Sequence, residues 1–283
     1  MTLRGSVVIP AHDEGAVIDR LLDVLSGDVR SALLEVVVVA NGCRDDTASR
    51  ARQHNGVTVV EIETASKIAA LEAGDATAVA FPRVYLDADV SIDVDTLLAL
   101  CDALLGDGVD VASPRLIVDT SRASWAVRQH YRVWELTDYR LRGHIGSGVY
   151  ALSQDGRARF GHWPDVIADD RFVQQLFSPD ERLTLEDHAF TVRSARSIRA
   201  HLRRSVRIAR GNRELAAELH TAPPARAAGR GSLLLRVGAR PWLWPAFLVY
   251  CVTWTAPNII AARTMARGDR QAWNRDETSR VTA

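Results

Sequence analysis

The sequence predicts an α/β fold with a doubly wound, mostly parallel sheet flanked by helices and followed by a C-terminal helical segment. Two observations predict it. Apolar runs typical of buried strands alternate with stretches of helical apolar spacing through the first 119 residues, a rhythm that indicates successive β-α-β units. Polar residues follow the predicted strands, and because the carboxyl ends of parallel strands meet at one edge of a sheet, we expect these residues to converge there: Glu14, Asn41, Lys67, Asp87 and Asp89.

The composition describes a globular protein with enough residues for a sizeable core. The chain has 283 residues, of which 47% are apolar and 25% are charged. Lys+Arg and Asp+Glu are equal at 35 each, so the overall charge does not indicate a nucleic-acid partner. Cys43, Cys101 and Cys251 stand far apart, which argues against a disulfide framework or a zinc site and fits a reducing compartment. The chain opens directly into a predicted strand, without a charged and apolar leader, and we expect a cytoplasmic location.

The first half divides into strands and helices of conventional length. Runs of Val, Ile and Leu bounded by turn residues predict strands over residues 6–10, 34–40, 57–62 and 84–86. Helical apolar spacing and helix-starting residues predict helices over 16–25, from 47 to about 54, and over 66–80. Together these elements supply the β-α-β rhythm on which the predicted fold depends.

Asp87-Ala88-Asp89 directly follows the fourth predicted strand. In a strand, residues two apart point to the same side, so the carboxylates of Asp87 and Asp89 are expected to point toward one spot beyond the strand end. Two ionised carboxylates at one spot need a cation, and oxygen ligands suit Mg²⁺ or Mn²⁺. Taken alone, such a triplet is more often a solvated turn or a helix cap, so its weight depends on the neighbouring motifs.

The second half is predicted to contain further helices and strands. Helical spacing predicts helices over 95–105, 123–141, 169–177 and 197–220, the last of them dense in arginine. Apolar runs predict strands over 109–118, 149–152 and 182–194. Residues 143–148 are rich in glycine and predict a loop, and residues 221–232 have the composition of a linker.

Residues 241–262 form an uncharged run of 22 residues between Arg240 and Arg263. The length suits a membrane span. Internal prolines and three tryptophans argue instead for a helix that lies at the membrane interface. We expect contact with a membrane surface and leave spanning and interfacial placement open. The alternative is a buried helix that closes the domain or makes a homodimer contact.

Four motifs occur in order along the chain: residues 7–14 (VVIPAHDE), residues 41–47 (NGCRDDT), Lys67-x-x-Ala70-Leu71 and Asp87-Ala88-Asp89. The ordered set resembles the family 2 glycosyltransferases, which have the GT-A fold. The resemblance covers roughly residues 4–178 and is far more specific than any single motif. It implies a GT-A domain over residues 1–220, with a donor half (1–119) and an acceptor half (120–220), followed by the linker and an apolar C-terminal helix and tail (233–283).

The resemblance implies that the first half binds a nucleotide-diphosphate sugar with Mg²⁺ or Mn²⁺. Asp89 should bind the metal directly, and Asp87 should face the ribose or the metal. Lys67 opens a helix, where it is well placed for a phosphate. The further donor-site residues that the motifs imply are Pro10, Ala11, Glu14, Asn41 and Ala88. His12 and Asp13 stand where the family more often has an aromatic residue and Asn, so the base preference stays open.

The acceptor half resembles the family more loosely. Gly146-Ser147-Gly148, Gly161 and the pair Asp169-Asp170 resemble its glycine-rich acceptor loop and its Glu-Asp pair. Asp170 takes the position of the catalytic base, and Asp169 replaces the usual Glu. The Gln-x-x-Arg-Trp motif of processive members is lost, which argues for transfer of a single sugar; the nearest match leaves Arg204 and Arg207 as candidate diphosphate contacts. His201 is a candidate third metal ligand, although a surface histidine is the preferred interpretation.

The resemblance therefore implies a metal-dependent, inverting glycosyltransferase, with Asp170 as the candidate general base. A nucleotidyltransferase or a dinucleotide oxidoreductase would need a glycine-rich loop after the first strand, which residues 10–14 do not supply. A catalytically silent, nucleotide-sugar-binding or scaffold member of the same fold stays open as the alternative. The acceptor is an unidentified hydroxyl compound, with a lipid-linked one suited to the apolar C-terminal helix. That helix favours the cytoplasmic face of a membrane.

Overall fold

The computed structural model describes residues 2–106, 108–141, 144–166, 168–218 and 230–266. Within these ranges, seven strands form one sheet in the spatial order β3-β2-β1-β4-β6-β5-β7. In chain order they are β1 (Gly5–Ala11), β2 (Leu34–Asn41), β3 (Val57–Ile62), β4 (Arg83–Leu86), β5 (Val111–Asp119), β6 (Val149–Leu152) and β7 (Arg182–Arg193).

Helices connect the strands on both sides of the sheet and continue beyond it. They are α1 (Ile18–Gly27), α2 (Thr47–Ala51), α3 (Lys67–Thr77), α4 (Val94–Leu104), α5 (Trp125–Trp134), α6 (Asp138–Leu141), α7 (Gln154–Ala158), α8 (Asp169–Leu176), α9 (Ile198–Glu218), α10 (Arg230–Gly238) and α11 (Trp244–Ala266). The predicted α/β architecture is therefore confirmed. The single helix predicted over 123–141 is divided into α5 and α6, and the last three residues of the predicted linker, 230–232, belong to α10. Residues 219–229 lie outside the described ranges.

The sheet is mostly parallel, as predicted, and β6 is the strand that departs from this direction. β1 pairs in parallel with β2 and β4, β2 with β3, and β5 with β7, whereas β6 runs antiparallel to both β4 and β5. The antiparallel register places Leu86, the last residue of β4, opposite Val149, the first residue of β6. The carboxyl ends of the parallel strands and the beginning of β6 therefore share one edge of the sheet.

The central strands are buried on both faces, which is why they are continuous apolar runs rather than alternating ones. In β1, Val7 and Ile9 belong to the core beneath α1 and α4, while Val8 belongs to the core on the opposite face, beneath α3. All three side chains have no exposed surface. The alternating side chains of β1 thus contribute to the core on both faces of the sheet. This packing fixes the carboxyl end of β1 against the neighbouring strands.

Helix α11 packs side-on against α5 and α9. Its buried residues recur every three or four positions along the whole helix: Ala246, Tyr250, Thr253, Pro257 and Ala261. The segment Pro241–Ala266 is long and apolar enough to cross a membrane, and 28% of its most apolar stretch is buried in the protein. One face of α11 therefore closes the fold, and its other face is exposed.

Candidate active site at the carboxyl edge of the sheet

Lys67 lies between the turn after β4 and the start of α8. It is the first residue of α3, where the hydroxyl of Ser66 caps the helix by accepting a hydrogen bond from the Ala69 N–H. Its Nζ lies 2.8 Å from Asp87 Oδ1 and 2.9 Å from Asp169 Oδ1. Burial lowers the pKa of Lys67, but the surrounding carboxylates outweigh burial and hold its pKa well above the ordinary value. A charged lysine thus connects the turn after β4 to the start of α8.

Asp169 is enclosed by the protein. Its side chain is only 3% exposed, and its second oxygen, Oδ2, accepts a hydrogen bond from the Tyr150 hydroxyl at 2.9 Å. Burial raises the pKa of Asp169, and the charge of Lys67 opposes that rise. Because each oxygen of Asp169 already has an internal partner, this carboxylate is arranged to hold Lys67 and α8 in place.

Asp170 is half-buried and more accessible than its neighbour Asp169. One oxygen, Oδ2, accepts a hydrogen bond from the backbone N–H of Ser147 at 2.9 Å, and Oδ1 accepts one from the N–H of Arg171 at 2.7 Å. Asp170 lies in the first turn of α8, where the positive end of the helix dipole favours an ionised carboxylate. Of the two acids in the pair, Asp170 is the one that a substrate can reach.

The loop at residues 146–148, which contacts Asp170, has an unusual backbone conformation. Gly146, Ser147 and Gly148 have φ values of 105°, 60° and 108°, all in the left-handed region that favours glycine. A Cβ on Gly146 would lie 2.5 Å from the Cβ of Asp170. Glycine at position 146 therefore permits both the backbone path and the approach to Asp170. Ser147 keeps its place with its hydroxyl 3.0 Å from Nε2 of the buried His144.

Asp87-Ala88-Asp89 lies in a turn and not in the strand. Strand β4 ends at Leu86, and the Val90 N–H donates to the Asp87 carbonyl at 3.2 Å. The prediction that strand alternation points both carboxylates toward one spot is therefore wrong in its reason, because the strand ends before either residue. Asp87 and Asp89 are half-buried around the buried Ala88. Two carboxylates on one turn at the sheet edge fit a hard divalent cation by their donor chemistry.

The predicted nucleoside-site residues come together at the ends of β1 and β2. Asn41 is 1% exposed, and its amide donates to the Ala11 carbonyl at 2.9 Å, while its Oδ1 is buried without a hydrogen-bond partner among the described residues. Glu14 is 7% exposed, and its N–H donates to the Thr47 hydroxyl at 2.7 Å. Pro10 precedes Ala11 at the end of β1. This cluster of strand-end residues contains the polar Asn41 and Glu14, and it lies next to the turn at Asp87 because β1 pairs with β4.

A mixed group of metal-ligand side chains lies beside this cluster. The ligand atoms of His12, Asp13 and Cys43 lie within 4.8 Å of one another. Asp13 has a φ of 47°, a left-handed conformation, and its Oδ1 accepts a hydrogen bond from the Arg44 N–H at 2.6 Å. Burial raises the pKa of the Cys43 thiol, so this sulfur is a poorer metal ligand near neutral pH than an ionised one.

The arginine-rich helix α9 supplies one predicted residue to the sheet edge. Arg204 donates from Nη1 to the carbonyl of Arg193 at 3.4 Å, and Arg207 lies half-buried on the same helix. The expectation of a surface histidine at position 201 is wrong. His201 is 4% exposed, and its ring lies 4.2 Å from that of His130, because this face of α9 packs against α5 and α11.

Sequence reasoning missed Tyr150 and Arg20. Tyr150 belongs to an apolar four-residue strand, and no local pattern indicates that its hydroxyl reaches Asp169, 19 residues later. Arg20 lies on the amphipathic helix α1, where a charged residue is ordinarily solvated, yet its Nη2 donates to the Asp89 carbonyl at 3.2 Å. Both contacts depend on tertiary packing.

The sheet topology and the acidic residues at its edge define a GT-A-like α/β fold of the kind that binds nucleotide sugars. The model of glycosyl transferase family 2 matches residues 6–158, which is more than half of the chain. The protein therefore belongs to glycosyl transferase family 2, and the predicted enzyme class, a glycosyltransferase, is confirmed.

Solved structures of similar fold agree with this membership. A mannosyltransferase from Pyrobaculum calidifontis, in complex with GDP-Man and Mn²⁺, is 23% identical with a TM-score of 0.61, and the match covers 95% of this chain and 80% of that one. Glucosyl-3-phosphoglycerate synthase from Mycobacterium tuberculosis, in complex with Mn²⁺, UDP-Glc and phosphoglyceric acid, is 21% identical with a TM-score of 0.56, covering 79% and 81% of the two chains. No curated protein matches the chain significantly.

Replacing Lys67 by Met should destabilise the protein in a pH-dependent way. The change leaves the buried Asp169 without its cation, and breaking a buried ion pair costs about 3–5 kcal/mol of unfolding free energy. The lone carboxyl then has a folded-state pKa above its unfolded value of about 4. It therefore destabilises the variant more as the pH rises through and above that range. Urea unfolding at pH 5 and at pH 8 measures the loss of unfolding free energy at each pH.

The matched control is the double variant Lys67→Met with Asp169→Asn, which removes both charges. We expect it to recover part of the loss at pH 8, because the buried charge is gone. An equal loss of unfolding free energy for Lys67→Met at both pH values would contradict the assignment of Lys67 as the cation that pairs with the buried Asp169.

Proposed function

We propose that this protein transfers one sugar from a nucleotide-diphosphate sugar to an acceptor hydroxyl, with inversion at the anomeric carbon. The observation that carries the proposal is the double ion pair of Lys67, which brings the donor-side Asp87 and the start of α8 to one place. Family membership supports sugar transfer, and the similar mannosyltransferase and synthase structures contain GDP-Man and UDP-Glc. We assign donor binding to residues 1–119 and acceptor binding to residues 120–220.

Asp170 is the proposed general base. The acceptor hydroxyl must lose its proton as it attacks, and a carboxylate within hydrogen-bond reach takes it. Asp170 suits this role because it is half-buried and oriented by two backbone N–H groups, whereas Asp169 is enclosed. We therefore propose that Asp169 acts through Lys67, as a positioning residue, and does not itself exchange a proton with substrate.

We propose that Asp89 and Asp87 hold Mg²⁺ or Mn²⁺, as the Mn²⁺ in the similar structures suggests. A bound cation supplies Lewis-acid stabilisation of the negative charge that develops on the leaving diphosphate. Pro10, Ala11, Glu14 and Asn41 line the proposed nucleoside pocket. Ala88 keeps the two carboxylates on one turn, and the remaining N–H of Lys67 is a proposed phosphate donor.

Replacing Asp170 by Asn should lower turnover of the nucleotide sugar at least about 100-fold, the scale of general-base catalysis. Donor affinity should stay close to that of the wild type, because Asp170 lies outside the proposed donor site. The donor is first selected by thermal shift with UDP-, GDP- and dTDP-sugars, and turnover is then measured as release of the nucleoside diphosphate. Asp165→Asn, at an exposed loop residue nearby, is the matched control. Unchanged turnover in Asp170→Asn would remove this residue from the mechanism.

Replacing Asp89 by Ala should abolish the part of nucleotide binding that depends on metal, because the direct ligand is lost. Calorimetric titration with a nucleoside diphosphate, with and without Mn²⁺, measures this part. The control is Asp95→Ala, which removes a surface carboxylate that pairs with Arg30. If Mn²⁺ strengthens binding equally in Asp89→Ala and wild type, the metal site lies elsewhere, and the group at His12, Asp13 and Cys43 becomes the next position to test.

We also propose that α11 lies in the plane of the cytoplasmic face of a membrane. Its inner face packs on α5 and α9 from end to end, and spanning would uncover that buried stripe. Its exposed side is uncharged between Arg240 and Arg263 and bears large apolar side chains, as interfacial helices do: Trp244, Leu248, Val252, Trp254, Ile259 and Ile260. Such a placement would suit a lipid-linked acceptor.

The full-length protein should bind phospholipid vesicles, and the double variant Trp244→Ser with Leu248→Ser should bind them at least about 10-fold more weakly, since each side chain contributes roughly 2 kcal/mol of apolar transfer. Co-sedimentation with vesicles measures the bound fraction. The control is Val29→Ser, at a residue that is 88% exposed on the opposite part of the chain. If the wild type does not bind vesicles but forms a dimer, and the double change dissociates that dimer, the exposed face of α11 instead contacts a second copy of the chain.

A further inference from the structure

Arg20 places a guanidinium beside the proposed metal-binding turn. It lies half-buried on α1, and its Nη2 donates to the carbonyl of Asp89 at 3.2 Å. Burial lowers the pKa of Arg20, Arg193 lowers it further, and the charge of Asp89 raises it. Arg20 therefore lies within electrostatic range of both Arg193 and Asp89.

The register of β7 brings Arg193 to the same turn from the other side. Ser91 and Thr191 form an antiparallel bridge, with Ser91 N–H donating to Thr191 O at 2.9 Å and Thr191 N–H donating to Ser91 O at 2.8 Å. Arg193 lies two residues after Thr191, and Asp89 lies two residues before Ser91, in the turn. The bridge therefore brings Arg193 into the neighbourhood of the Asp89 turn. The Nη1 of Arg204 donates to the carbonyl of Arg193 and so helps to hold the backbone there.

The two guanidinium groups lie among other charged side chains. Asp119 is opposite Arg193 in the β5–β7 register; its hydrogen bonds to Ser121 lower its pKa, and Arg193 and Arg122 lower it further. Arg20 and Arg193, from α1 and β7, are like charges near the proposed metal-binding turn, since Arg193 lowers the pKa of Arg20. A divalent cation at Asp89 would add positive charge beside them. Like charges held close together in a half-buried place are unfavourable unless an anion joins them.

A diphosphate is the anion that the proposed reaction puts at this place. Arginine presents a planar fork of N–H donors that matches phosphate oxygens, and such charge-assisted contacts are among the stronger hydrogen bonds in proteins. Lys67, the other cation of the site, already has Asp87 and Asp169 as partners. The arginines are therefore better placed than Lys67 to take most of the phosphate charge.

We propose that Arg20 and Arg193 clamp the diphosphate of the donor from the Asp89 side and give nucleotide binding a component that does not need metal. The inference rests on the proposed function, since it assigns residues to the same donor site. The competing explanation is that the two arginines only fasten α1 and β7 to the Asp89 turn, in which case their loss would change stability and leave nucleotide affinity as it is.

Calorimetry of UDP and GDP binding, in Mn²⁺ and in EDTA, separates these explanations. The wild type should bind the preferred nucleotide in Mn²⁺ and keep a weaker but measurable affinity in EDTA. Arg193→Gln and Arg20→Gln should each weaken binding about 10- to 100-fold in both conditions, and Arg193→Lys should weaken it less. Arg52→Gln, at a surface arginine paired with Glu61, should bind as the wild type does. Inorganic pyrophosphate should compete with the nucleotide in EDTA, and that competition should weaken in Arg193→Gln.

Thermal unfolding checks that each variant is folded, and Arg193→Lys keeps the test valid if a Gln variant is not. Nucleotide affinity that is unchanged in the folded arginine variants would overturn the clamp while leaving the proposed function standing. So would wild-type binding that disappears completely in EDTA. If the wild type binds no nucleoside diphosphate even with Mn²⁺, the proposed function itself fails and the clamp fails with it.

Discussion

The arrangement of the candidate site depends on one half-buried cation, Lys67, between two carboxylates that belong to different parts of the chain. Asp87 follows β4, and Asp169 opens α8, more than 80 residues later. Asp169 could not be held ionised in its buried place without a partner, because taking a charge out of water costs several kcal/mol. Asp87, whose side chain is 37% exposed, pairs with the same lysine. The lysine satisfies both at once, and Tyr150 satisfies the remaining oxygen of Asp169. The turn after β4 and the start of α8 are therefore coupled through a single ammonium group.

Much of the donor half could be predicted from its sequence, because its strands are buried on both faces and read as uninterrupted apolar runs. The predicted strand over 57–62 matches β3 at both ends, and those over 6–10 and 34–40 are each within one residue of β1 and β2. The residue types at the strand ends were also predictable, since a parallel sheet gathers those ends at one edge. The contacts between these residues could not be predicted. Lys67 was expected beside a phosphate and is found between two carboxylates.

The errors have physical causes that a single sequence does not reveal. Strand alternation was applied to Asp87 and Asp89, but β4 ends at Leu86, and the pair lies in a turn. His201 reads as a surface residue on an arginine-rich helix, yet α11 covers that face of the helix from a distant part of the chain. Which face of α9 is covered depends on where the C-terminal helix docks, and hydrophobic spacing within α9 does not specify that.

The loop at residues 146–148 acts as a fixed spacer. The carbonyl of Gly148 accepts a hydrogen bond from the Asp87 N–H at 2.8 Å, and the Ser147 N–H holds Asp170. These two hydrogen bonds come from peptide units with one other unit between them, and a peptide unit is planar and of constant length. The distance between the Asp87 backbone and the Asp170 carboxylate therefore depends on the backbone of this tripeptide, together with the side-chain rotamer of Asp170. If Asp170 is the general base proposed above, a bulkier acceptor would need a longer or re-routed loop at this position.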